Sequence, residues 1–179
     1  MYAWQSQQHP FHLIEQSWKK GDPDPKALAC YGILWQQGPP EAPVRQQMWL
    51  RFVTGRPVSA ITIQFLDWCC ERLAKQGKRN WLLIWDNASW HVSKMVRTWI
   101  REHNQQVKQS GEGVRILPYL LPTQSPWLNP IEPKWVHGKR AVVEPRRLLS
   151  ARELAERVCA YFQYPYEPHL SLPHSEKVT

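Results

Sequence analysis

Two short segments constrain what this chain can fold into more than any other feature. Trp81-Leu82-Leu83-Ile84-Trp85-Asp86-Asn87-Ala88-Ser89-Trp90-His91 is an apolar run of strand length that ends on an acid at the start of a turn. A buried sheet delivers a carboxylate to its edge in this way. Ser125-Pro126-Trp127-Leu128-Asn129-Pro130-Ile131-Glu132-Pro133-Lys134-Trp135 reads as a helix start, with Asn129 as cap, Pro130 as first helical residue and Glu132 in the opening turn. Together the segments set two carboxylates, distant in sequence, where one divalent-metal site could use both. A plainer reading fits each segment alone. Asn129 to Glu132 has capping-box spacing, and Asp86-Asn87 suits an ordinary turn after a strand.

Around these segments the pattern alternates between strand and helix. Residues 1–26 are polar and Pro-punctuated, closing on Gly21-Asp22-Pro23-Asp24-Pro25, and read as a connecting segment. Ala27 to Trp35 predicts a strand, Gln47 to Thr54 a second. The stripe Ile61, Phe65, Trp68, Cys69, Leu73 predicts a helix from Val58 to Gln76, ended by Gly77. After the strand to Asp86, the spacing of Val92, Val96, Trp99, Ile100 and His103 predicts another helix. Val114 to Leu121 reads as a strand stopped by Pro122, and the helix opened by Asn129 should run to about Val142. Ser150-Ala151-Arg152-Glu153 is a capping box for a last helix carrying Leu154, Val158 and Phe162. The domain is thus expected over residues 27–163, with a loose tail over 164–179. This order of elements is α/β.

Both motifs, in this order, resemble the catalytic domain of mariner-like insertion-sequence transposases of the DDE superfamily. In that family an apolar strand ends in Asp-Asn-Ala-x-x-His, and Ser-Pro-x-Leu-Asn-Pro-Ile-Glu later opens a helix carrying Trp and Lys. The likeness also takes in Asp22-Pro23-Asp24-Pro25-Lys26-Ala27-Leu28-Ala29-Cys30-Tyr31-Gly32, and spans about Asp22 to Phe162. It implies a ribonuclease H-like mixed sheet flanked by helices, and DNA cleavage and strand transfer at a carboxylate triad binding Mg²⁺ or Mn²⁺. It makes Asp86 the second carboxylate and Glu132 the third. The first normally ends a central strand upstream of Ala27, and no apolar strand ending in Asp is found there. Asp22 and Asp24 sit in a Pro turn and Glu15 in a polar stretch. The expectation is therefore an N-terminally truncated domain, inactive alone and lacking its first, central strand. Two other readings stand beside it: a non-catalytic DNA-binding or regulatory remnant, and a ribonuclease H-like nuclease with rearranged acids.

The remaining site residues follow from position. Asn87 and Asn129 are expected to organise the turns that aim the two acids. His91 matches the family His; it serves either as a polar residue at a helix start or to orient Asn87 or a phosphate. Lys134, Lys139 and Arg140, on or beside the Glu132 helix, are expected to contact phosphates, a solvated basic face being the alternative.

Composition narrows the class further. At 179 residues the chain fits one domain, and its formal net charge of +8 suits a polyanionic partner, here transposon ends and target DNA. Homodimerisation or association with full-length transposase is also expected. The four cysteines show no metal-knuckle spacing and read as reduced, mostly buried thiols. No apolar run approaches the roughly 18 residues of a membrane span, and the N-terminus has no signal-peptide character, so a cytoplasmic protein without membrane attachment is expected. Of the eleven tryptophans, most read as packing residues; Trp90 and Trp127 are the candidates for base stacking.

Overall fold

A computed structural model describes residues 28–37, 45–144 and 149–172. The elements are β1 (Ala29–Gln37), β2 (Arg45–Val53), α1 (Ser59–Lys75), β3 (Asn80–Trp85), α2 (Lys94–Ser110), β4 (Arg115–Leu120), a 3-10 turn (Pro126–Leu128), α3 (Ile131–Val142) and α4 (Ala151–Tyr161). The architecture is mixed α/β and compatible with a ribonuclease H-like fold. It differs from the expected single mixed sheet. β1 and β2 form an antiparallel pair, from Ala29 opposite Val53 to Gln37 opposite Arg45, and β3 and β4 form a separate parallel pair. The reason is that no strand among the described residues pairs with both β1 and β3.

One core nonetheless joins the two sheets. α1 lays Ile61, Phe65, Leu66, Cys69 and Leu73 against Trp49 and Leu50 of β2, Trp81 and Leu83 of β3, and Ile116 of β4. The spacing of these residues gives the helix one apolar stripe, and burying that stripe holds it in place. Trp68, expected in the stripe, lies at its margin and packs against the core while partly exposed. Tyr31 of β1 adds a buried hydroxyl pair with Thr62 of α1, 2.7 Å apart. α2 buries Val96 and Ile100, and α4 opens with the capping box expected at Ser150 and Glu153. Its Gly138 neighbour in α3 leaves room for Phe162, which an added Cβ would meet at 2.9 Å.

The stretch after Tyr164, expected to be loose, is anchored as far as Leu172. Leu170 bridges to Val53, donating its N–H to Phe52 O and accepting from Thr54 N, each at 2.8 Å. Glu167 accepts from Trp68 Nε1, Arg72 Nη1 and Tyr164 Oη, with Arg51 3.6 Å away. A carboxylate with that many donors is charge-compensated where it sits. Residues 173–179 lie outside the described residues.

All four cysteines are free thiols, and Cys69, Cys70 and Cys159 are buried. Burial, aided by the charge of Asp67, pushes the Cys70 thiol up to about 12. A raised thiol pKa favours the folded state most while the unfolded thiol is still protonated. That stability is expected to be intact below pH 9.0 and to fade as pH climbs toward about 12. Urea midpoints across that range should show the decline, and Cys70 should resist alkylation in the native protein at pH 8, below the ordinary thiol value of 9.0.

Candidate functional site

β3 alternates, with Trp81, Leu83 and Trp85 buried and the intervening residues outward, so the next residue, Asp86, emerges at the strand's C-terminal end. Its carboxylate is 52 % exposed and held from two directions. Oδ1 accepts from the Ala88 backbone N–H at 3.0 Å and lies 2.7 Å from His91 Nδ1. Because an ionised carboxylate only accepts, Nδ1 is the ring nitrogen that carries the proton. The His91 ring stacks on Trp85, centroids 4.9 Å apart and planes 13° apart. His91 therefore orients Asp86 rather than Asn87, and it precedes α2, whose cap is Ser93. Asn87 instead donates through Nδ2 to Leu121 O at 2.6 Å, and Leu121 N donates to Trp85 O. These bonds tie the turn after β3 to the end of β4.

Glu132 lies in the first turn of α3, but the helix begins differently from the expectation. Pro130 occupies the cap position, Ile131 is the first helical residue, and no capping box forms between Asn129 and Glu132. The preceding 3-10 turn is the cause. Leu128 N and Asn129 N donate back to Ser125 O and Pro126 O, so Asn129 closes that turn and is set back from the helix. Its Oδ1 reaches only Ile131 N, at 3.5 Å. Glu132 is thereby released from reaching back to the backbone.

Asp86, His91, Asn129 and Glu132 all line one groove of about 1000 Å³, which runs between β1 and β3. Trp135 anchors α3 to its β1 wall. The ring stands so close to Gly32 that an added Cβ would come within 2.8 Å of Cη2 and nearer still to Cζ2. Only glycine leaves that space. Lys134, Lys139 and Arg140 are exposed and do not line the groove. At 100° per residue Lys139 returns to the stripe of Glu132, whereas Lys134 projects from the far side of the helix. Of the two stacking candidates, Trp90 packs against the core and Trp127 is 75 % exposed. Sequence reasoning missed Trp85, whose Nε1 is buried and has no partner among the described residues. Its place in an apolar run gave no sign of that.

The donor set suits only part of a metal centre. Two carboxylates line the groove, and among the described residues no group of three or more His, Cys, Asp or Glu side chains is placed to hold an ion. None of the described helices is long and apolar enough to cross a membrane.

A groove at the C-terminal edge of a sheet, with two acids on separate elements, is the setting of a metal-assisted hydrolase or transferase. The family model for the DDE superfamily endonuclease matches residues 44–155, well over half of the chain. The chain belongs to the DDE superfamily endonucleases, whose chemistry is transposase-type cleavage of DNA. No curated protein and no solved structure matches it.

Proposed function

We propose that this chain is the catalytic part of a mariner-like insertion-sequence transposase, acting on transposon-end and target DNA, with Asp86 and Glu132 as two of its three metal-binding carboxylates. The observation that carries the reading is that both acids line one groove in a chain of this family. A divalent ion such as Mg²⁺ or Mn²⁺ would supply an activated oxygen nucleophile and neutralise phosphate charge. Asp86 and Glu132 would hold it; His91 fixes one oxygen of Asp86 and leaves the other available, and Asn87 and Asn129 set the turns on either side. Lys139 and Arg140, near the Glu132 stripe, and Lys134 are offered to phosphates.

Two acids leave a two-ion centre short of its bridging ligand. The reading therefore includes a first carboxylate, on a strand from outside residues 27–163, without which the chain does not cleave. Its natural setting would be the cytoplasm, alone, as a homodimer or with full-length transposase.

Binding of DNA tests the class of partner. With a net charge of +8, the chain is expected to bind duplex DNA weakly and with little sequence preference. If about four phosphates are neutralised, raising salt from 50 to 200 mM should weaken binding on the order of 100-fold, as expected for counterion release. Fluorescence anisotropy at the two salt concentrations measures it. Binding that ignores salt, or none at low salt, would exclude a nucleic-acid partner.

A further inference from the structure

The groove has the form of an unfilled place in a sheet. Its walls are two strands, β1 from Cys30 to Gln36 and β3 from Asn80 to Asp86. Each is paired along its other edge only, β1 with β2 and β3 with β4. Tyr31, near the start of β1, lies beside His91, just past the end of β3, with ring centroids 6.3 Å apart. The two strands thus border the groove in opposite directions. Two further features point into it. Leu82 and Ile84 line the groove yet are 62 % and 50 % exposed, and the buried Trp85 Nε1 lacks an acceptor. Unpaired strand edges, uncovered apolar side chains and an orphaned donor all lack what one more strand supplies.

We infer that the groove takes up an extended apolar strand of a separate polypeptide, running parallel to β3 and antiparallel to β1, to join the two pairs into one five-stranded sheet. The parallel sense follows from β3 and β4, which deliver Asp86 and Leu121 at their C-terminal ends, the edge at which sheets of this kind present polar groups. The strand matches β3, six residues long. With Phe65 and Leu66 of α1 and Ile131 and Trp135 of α3 along the groove, it is apolar on both faces. Residues 1–27 contain no such run. A second folded copy offers a sheet edge that carries its own helices, which do not enter between two strands. The residue that follows the apolar run lands beside Asp86 and Glu132. Its identity as an acid rests on the endonuclease reading, whereas the strand itself does not.

The test uses the full 179-residue chain and a synthetic peptide of six apolar, β-branched and aromatic residues followed by Asp, with lysines at its N-terminus for solubility. Peptide binding is expected to slow amide exchange in β1 and β3 at the positions not bonded to β2 or β4. N-methylating alternate peptide nitrogens removes ladder donors but keeps the side chains, and should weaken binding about tenfold or more. Equal binding by the methylated peptide, or protection elsewhere, would overturn the strand. So would outer-edge amides already protected before peptide is added. Independence of protein concentration would then assign the groove to the chain's own residues, and dependence on it to a second copy. Replacing the peptide's Asp by Asn separates the two claims. Both peptides should bind, and only the first should support nicking of DNA in Mg²⁺. Binding by both with nicking by neither would remove the acid and leave the strand.

Discussion

Asp86→Ala and Glu132→Ala are each expected to reduce Mg²⁺-dependent nicking of transposon-end DNA by about 10³-fold or more, in a version of the chain extended upstream by a strand ending in Asp. Each substitution removes a hard oxygen ligand and a negative charge from a centre that holds ions only through such groups. A loss of about 4 kcal/mol in transition-state stabilisation corresponds to that factor. Asp86→Asn is the sharper variant. The amide oxygen still accepts from Ala88 N–H, so the turn after β3 survives, while the charge that would hold an ion is gone. Asp86→Asn nicking at the parent rate would make Asp86 a turn residue and no more.

Trp49→Ala is expected to have the largest effect on stability. Trp49 is 1 % exposed, stacks on Trp35 at 5.5 Å, meets Trp68 edge-on and carries the Arg72 guanidinium over its ring at 5.3 Å. Truncating a buried aromatic of this size costs about 3–5 kcal/mol. Because the whole domain holds only about 5–15 kcal/mol, much of its stability goes with it. Trp49 also fixes Arg72, and through it Glu167 and the segment that bridges to β2. Urea unfolding followed by far-UV circular dichroism measures the change. A loss below about 1 kcal/mol would mean that β2 is not the centre of the core.

The elements that read clearly from sequence are those whose signal is local and periodic. The α1 stripe, the run that ends at Asp86 and the capping box at Ser150 each depend on residues within a few positions of one another, and each appears where expected, to within one or two residues at the ends. The start of α3 was less legible. Asn129 and Glu132 have capping-box spacing, but a 3-10 turn upstream takes Asn129 into its own hydrogen bonds, and spacing alone does not record that competition. Long-range partners were illegible. Glu167 looks like a tail residue until Arg51 and Arg72, from β2 and α1, converge on it. His91 finds Asp86 and Trp85 only because the turn after β3 folds back on itself. The division into two sheets also escaped the pattern, since the order of strands does not state which edges meet.

Of the candidate site, the two acids and their turn residues were legible as a motif, and the groove that they share was not. Its walls come from β1 and β3, some 50 positions apart, as the register and the lining residues show.

The most direct measurement compares Mg²⁺-dependent nicking of transposon-end DNA by the 179-residue chain and by the strand-extended version, each with and without Asp86→Ala. The account predicts nicking by the extended version alone, abolished by Asp86→Ala. Equal cleavage by the 179-residue chain, also abolished by Asp86→Ala, would show that the first carboxylate comes from within this sequence and would contradict the account.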